Sequence, residues 1–261
     1  MSSLFDIACN FSSERFDNDL EMVIDRAIKE NVNKFLVVSA SIKEFDKVYK
    51  IYQKHSENCL FTIGTHPHHA KEFDASSSKL MTELVNNYQP NSVGETGLDF
   101  FRNISSYEEQ IFAFEEQIKI SINTNKPLFL HQRDAHEDFI KIIRSYKNDI
   151  KRAVVHCFTG TQKELDDYLE MGFYIGLTGW ICDERRNVDL RESIKNIPLE
   201  KLMIETDCPY LIPRNLTTKP KNNRNEPANL PHIAKEIALL VNINEDKLID
   251  ITYKNSLDFF S

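Results

Sequence analysis

Eight short apolar runs recur along the chain, at residues 4–7, 35–38, 60–63, 92–93, 128–130, 153–155, 173–175 and 202–204. Most of the stretches between them carry helical periodicity. Leu20, Val23, Ile24, Ala27 and Ile28 follow the i, i+3, i+4, i+7, i+8 spacing of an amphipathic helix. Tyr107, Ile111, Phe114, Ile118 and Ile122 make a longer stripe, and Phe139, Ile142, Ile143 and Tyr146 another. Eight strand candidates alternating with helices in 261 residues match a (β/α)8 barrel of about 250 residues. An open doubly wound sheet is the alternative, but no G-x-G-x-x-G turn follows the first run. The expected fold class is therefore α/β, a (β/α)8 TIM barrel. A single domain over residues 1–261 is expected, because no repeat, low-complexity tract or Pro/Gly/Ser linker divides the chain.

In a parallel barrel all strands point their C-terminal ends at one face, where side chains converge. The polar residues fall at those ends. "FTIGTHPHH" ends the third strand with His66 and His68, and "SVGETGLDF" the fourth with Glu95. "LFLHQRDAH" ends the fifth with His131 and Arg133, "AVVHCFTG" the sixth with His156, and "LMIETDCPYL" the eighth with Glu205 and Asp207. One buried histidine is ordinarily satisfied by a backbone carbonyl and says little. Glu95, His131, His156 and Asp207, on four strands, meet only at a barrel mouth. Two imidazoles and two carboxylates form a mixed ligand set suited to Zn²⁺, Mn²⁺ or Mg²⁺. All seven glycines lie between Gly64 and Gly179, mostly beside these motifs, where backbone must turn or approach a ligand closely. Glu205 shares a face with Asp207, but a bond to a neighbouring strand or a basic side chain accounts for it at least as well as catalysis.

Composition narrows the function classes. A net charge of −8 argues against a non-specific, charge-driven nucleic-acid coat, though not against an enzyme with a local basic rim. Five cysteines without a C-x-x-C pair read as free thiols of a reducing cytoplasm. No run approaches the roughly 18–20 apolar residues of a membrane span. The start "MSSLFDIACNF" has no basic head and apolar run of a secretion signal, so a cytoplasmic location is expected.

"GTHPHH", "VGETGLDF", "HQRDAHEDF", "HCFTG", "GWICDERR", "IETDCPYL" and "RNEPANLPHI", in that order, closely resemble the TatD family of metal-dependent deoxyribonucleases. The likeness runs from residue 5 to about residue 238. It implies an amidohydrolase-like (β/α)8 barrel that hydrolyses nucleic-acid phosphodiesters with a divalent metal. In the TatD branch it implies 3′-to-5′ exonuclease action on single-stranded DNA and possibly RNA ends, in DNA repair or nucleic-acid turnover. Position by position, Glu95, His131, His156 and Asp207 look like the family's metal ligands, with Glu95 and Asp207 as its catalytic carboxylates. For Asp207, completing the metal's ligand set and taking the proton from the attacking water are competing roles that the sequence does not decide between. His66 matches a histidine associated with the substrate phosphate. Arg133 and Arg185 are the expected phosphate contacts among the loop arginines Arg102, Arg133, Arg185, Arg186, Arg214 and Arg224. Phe100, Phe101 and Trp180 lie beside these loops, where they could stack on unpaired bases.

Many relatives carry H-x-H at the end of the first strand as ligands of a second metal. Here Ala8 and Asn10 stand at those positions, as the TatD branch implies. A single site, or a second metal recruited with the substrate phosphate, is expected instead of a tight zinc pair, with Mg²⁺ as the ion and Mn²⁺ or Zn²⁺ as alternatives, in a monomer without membrane contact. Hydrolysis of an ester or amide, such as D-aminoacyl-tRNA deacylation, is the competing enzyme reading, since fold does not fix substrate. Such sites often use a carboxylated lysine at a strand end, and no strand here ends in one. A binding protein with a degenerate site is the third reading, opposed by the intact Glu95, His131, His156 and Asp207.

Overall fold

All eight apolar runs become strands in the computed structural model, which describes residues 3–185, 187–220 and 223–261. They are β1 (Leu4–Cys9), β2 (Val32–Val37), β3 (Cys59–Ile63), β4 (Ser92–Asp99), β5 (Leu128–Arg133), β6 (Ala153–Val155), β7 (Tyr174–Leu177) and β8 (Leu202–Ile204). They form one sheet in the order β1 to β8, with each neighbouring pair parallel. The ring closes where Cys9 and Cys208 form a parallel bridge and Asn10 N donates to Cys208 O at 2.9 Å. Asp6 staples the same seam: its buried carboxylate accepts from Thr206 N at 2.9 Å and from the Thr206 hydroxyl.

Around the strands lie α1 (Leu20–Lys29), α2 (Phe45–Lys54), α3 (Ala75–Tyr88), α4 (Tyr107–Thr124), α5 (His136–Ser145), α6 (Gln162–Glu170), α7 (Val188–Ser193), α8 (Leu230–Leu240) and α9 (Glu245–Phe260). The predicted stripes face inward: Val23, Ile24 and Ala27 of α1, Phe114 and Ile118 of α4, and Phe139, Ile142 and Ile143 of α5 are buried. The outer ends of two stripes, Ile28 and Tyr107, stay exposed. Local chemistry starts α4 and α6. Ser106 with Glu109, and Thr161 with Glu164, form reciprocal capping boxes that satisfy the first free backbone N–H groups.

Strand alternation divides the apolar side chains into two layers. Leu4, Phe35, Leu128, Leu130, Val155, Leu202 and Ile204 belong to the layer between sheet and helices. Phe5, Ile7, Leu36, Val38, Phe129, Val154 and Met203 fill the barrel interior. The interior is sealed from below by the end of α9, where Phe259 and Phe260 are buried against Phe5 and Tyr174, with ring centroids 5.8 Å (Phe5–Phe260) and 5.1 Å (Tyr174–Phe259) apart.

One element is much longer than its apolar run. β4 does not stop at Val93 but continues, wholly buried, to Asp99. The polar and glycine-rich stretch "GETGLD" lies beyond the apolar run, yet the strand pairs with β5 from Val93↔Leu128 to Asp99↔Arg133 around an irregularity between Gly94 and Thr96. Glycine makes this pairing possible. A Cβ on Gly97, which sits at φ +147, would lie 1.8 Å from His131 O.

Candidate active site

Continuing the interior alternation upward places His131 two residues beyond Phe129, His156 beyond Val154, and Glu205 beyond Met203. These side chains therefore come to the mouth from strands whose apolar residues fix their direction. The His156 ring stacks on Phe129 with centroids 4.7 Å apart. Glu95 enters from β4 and is the centre of the cluster. Its Oε1 lies 2.8 Å from His156 Nε2, 2.9 Å from His131 Nδ1 and 3.2 Å from His66 Nε2. Beyond His131, whose Nε2 is 3.5 Å from Asp99 Oδ2, the Asp99 carboxylate meets His68 Nε2 at 2.7 Å.

The two carboxylates that end β8 divide their roles by depth. Glu205 is fully buried. It accepts a hydrogen bond from Cys157 N and stands 3.5 Å from His156 Nδ1, so backbone and imidazole meet it, not a basic side chain. Asp207 lies at the mouth with positive φ, where Asn10 Nδ2 donates to its Oδ1 at 2.9 Å. Asn10 thus offers a donor toward the site, and Ala8 packs into the barrel interior. The first strand brings no metal-ligating side chain to the cluster.

Burial and charge set the protonation of this group. Burial by itself opposes ionisation of Glu95, yet the His156 charge, with hydrogen bonds from His131 and His156, holds it well below the usual carboxylate range. Burial pushes Asp207 up to about 7, against the pull of His156. Burial also lowers His66 to about 4.

The donors fit a cation. The ligand atoms of His66, Glu95 and His131 lie within 4.8 Å of one another. The ring nitrogens turned away from Glu95, His131 Nε2 and His156 Nδ1, have only the carboxylates of Asp99 and Glu205 at 3.5 Å, and Glu205 Oε2 is buried without a hydrogen-bond partner among the described residues. Imidazole nitrogens gathered around one carboxylate oxygen are a ready first shell for a divalent ion.

The structure thus brings together Glu95, His131, His156 and His66, with Asp207 beside them. The arginines disperse. Arg133 lies over the Phe101 ring, its Cζ 3.8 Å from the centroid. Arg185 pairs with Asp183 at 3.2 Å, and Arg214 Nε is 3.8 Å from the same carboxylate oxygen. Arg224 does not join the rim: it is buried and bonded to both Asp19 and Glu226 at 2.7 Å. Arg186 lies outside the described residues. Sequence reasoning missed Asp99 and gave His68 no role. Both were legible as the acid of "GLDF" and the second histidine of "HPH", but only Glu95 was read as the polar end of the fourth strand. A cleft of about 400 Å³ lies between Phe101 and Trp180, with Gln132 and Arg133 of β5 in its lining, and a second of about 270 Å³ lies beyond Trp180.

A closed parallel barrel whose strand ends draw imidazoles onto a buried carboxylate has the layout of a metal-dependent hydrolase. The chain belongs to the TatD related DNase family, whose model matches residues 5–261. It is 44% identical over 235 residues to the 3′-5′ ssDNA/RNA exonuclease TatD of Escherichia coli (strain K12), covering 90% of each chain. It is 40% identical over 258 residues to the protein of the same name from Erwinia tasmaniensis, covering 99% of this chain and 100% of that one. The crystal structure of a hydrolase TatD family protein from Entamoeba histolytica superposes with a TM-score of 0.88 at 26% identity, over 99% of this chain and 98% of that chain. The family implies divalent-metal use, and the Glu95 cluster is a possible place for the ion. No helix among the described residues is long and apolar enough to cross a membrane.

Proposed function

We propose that the chain is a divalent-metal-dependent 3′-to-5′ exonuclease acting on single-stranded DNA and RNA ends. The observation that carries this reading is the convergence of His66, His131 and His156 on Glu95 Oε1 at the barrel mouth. The identity of 44% to a relative named for that activity supports it.

Glu95, His131, His156 and Asp207 would hold the ion. When bound, the ion would lower the pKa of water and neutralise phosphoryl charge. In hydrolysis a water oxygen bonds to phosphorus and the phosphorus–oxygen bond to the neighbouring nucleotide breaks. Asp207 would take the proton that the water loses, and the leaving oxygen would gain one from solvent. His66, at the edge of the cluster, would donate to a phosphoryl oxygen, and Arg133 would hold the phosphate by paired hydrogen bonds. Arg185, paired with Asp183 in the loop after β7, would be a further phosphate contact. Mg²⁺ is the proposed ion, with Mn²⁺ able to replace it, because Ala8 and Asn10 supply no second site and substrate phosphate must complete the shell. The chain acts as a monomer in the cytoplasm.

A 5′-labelled single-stranded oligonucleotide should yield a descending ladder with Mg²⁺ and none after chelation, while a generic ester panel stays uncut. Immediate internal cuts, or equal rates on a circular strand, would overturn exonuclease action. Two tightly held zinc ions per chain in dialysed, active protein would overturn the metal assignment.

A further inference from the structure

We propose that the cleft bordered by Phe101, Arg133 and Trp180 is the subsite of the 3′-terminal nucleoside, and that its carboxylates select 3′-hydroxyl ends over 3′-phosphate ends. This inference rests on the nuclease reading above. The cleft joins the cluster through the chain itself. Arg133 stands two residues beyond His131 on β5 and so shares its face, and it lines the rim of the cleft, while Val155 and Phe158 reach the cleft from the outer side of β6; a strand held at Glu95 would meet this space across Arg133.

The cleft is built for a base. Its volume of about 400 Å³ sits at the lower end of the small-molecule range, suited to one nucleoside. Val155, Phe158, Tyr168 and Leu190 are all buried and make its apolar floor. At its rim Phe101 is 57% exposed, although the Arg133 guanidinium lies against its ring. An aromatic ring left open beside a nucleic-acid site, and held in place by a cation, is a stacking platform for any base. The backbone of Trp180 is fixed by Thr178 Oγ1 at its N–H and by the Asn187 amide at its carbonyl.

Charge decides which part of the nucleotide enters. The lining holds three carboxylates, Asp134, Glu164 and Asp189, against one guanidinium, Arg133. Glu164 is fixed by Gln132 Nε2 at 3.2 Å and by its capping bonds to Thr161. A terminal phosphate carried into this space would meet net negative charge, whereas a neutral nucleoside with a free 3′-hydroxyl would not. Arg133 stands at the boundary, where the scissile phosphate lies.

The test uses 5′-labelled oligonucleotides with an abasic residue at the last or the second-last position, and a third strand ending in a 3′-phosphate. For the wild type we expect the terminal abasic residue to lower kcat/KM about ten- to hundredfold, chiefly through KM. In Phe101→Ala, checked for folding by circular dichroism, that penalty should fall to about threefold or less, because the intact base has lost the same contact. The 3′-phosphate strand should be cut about tenfold more slowly, and Asp134→Asn with Asp189→Asn should narrow that gap. A penalty that appears at the second-last position, or one that Phe101→Ala leaves unchanged, overturns the base subsite. An undiminished 3′-phosphate penalty in the double variant overturns the charge selection. A wild type that degrades none of the strands, including an unmodified one, sinks the nuclease reading and the subsite with it.

Discussion

Asp207 shows how much one position can depend on a neighbour the sequence does not name. Its partly buried carboxylate is repelled by Glu95 and Glu205, and Asn10 satisfies one of its oxygens. Asp207→Asn keeps the shape and removes charge and basicity, so activity should fall at least about a hundredfold, the scale of lost general-base catalysis. Far-UV circular dichroism should be unchanged and metal-free stability should hold or rise, as like-charge repulsion is relieved. Near-normal turnover would make Asp207 structural. Glu205→Gln should act mainly on folding, because Glu205 holds Cys157 N and borders His156. A separate residue governs pH behaviour at the seam. Burial pushes the Asp6 carboxyl up to about 7, despite its bonds from Thr206 and Ala8. A raised folded pKa means that the native state holds this proton longer than the unfolded chain. Its stabilising share is therefore complete below about pH 4 and lost as pH rises through about 7. Denaturation of chelated protein from pH 4 to 8 should show that decline, with a shallower slope in Asp6→Asn. Equal slopes would remove Asp6 as the cause.

β4 and β5 are where an element's construction reaches the chemistry. The two strands share six registered pairs, and the one at Gly97 sets the carbonyl of His131 against a position that tolerates no Cβ. Gly97→Ala combines that clash with a φ of +147 that L side chains rarely adopt. The conformational part alone costs about 1–3 kcal/mol. The expected outcome is a lowered melting temperature together with a loss of activity in the molecules that remain folded, because β5 must shift and His131 moves with it. A folded variant with full activity would show that β5 is not positioned this way.

Across the whole molecule, stability and chemistry occupy opposite ends of the barrel. Phe259 and Phe260 close the lower end, where Asn91 Nδ2 donates to Phe260 O at 3.0 Å and the Arg152 guanidinium lies 5.7 Å from the Phe259 ring centroid. Phe260→Ala should cost about 3–5 kcal/mol by emptying a fully packed site. Urea denaturation would measure the loss, while kcat/KM of the folded fraction should stay close to wild type. A comparable fall in kcat/KM would mean that the two ends are coupled through the interior layer.

Period and order in the sequence were enough for the barrel. Eight apolar runs separated by helical stripes allow few other closed arrangements, and a parallel barrel then sends Glu95, His131, His156 and Asp207 to one mouth. Those residues were legible because each follows an apolar strand that fixes its direction. Three things were decided only in three dimensions. The extent of β4 depended on β5, since glycine and polar residues form a buried strand only where a partner backbone can approach to van der Waals distance. The fate of Arg224 depended on Asp19, some 200 positions away in the chain (|i−j| = 205), whose carboxylate turned an apparent phosphate contact into a buried ion pair. The meeting of His66 with Glu95, and of His68 with Asp99, depended on the stagger of β3 against β4. Such contacts are set by distances between strands, and a linear pattern carries the direction of a side chain but not what stands opposite it.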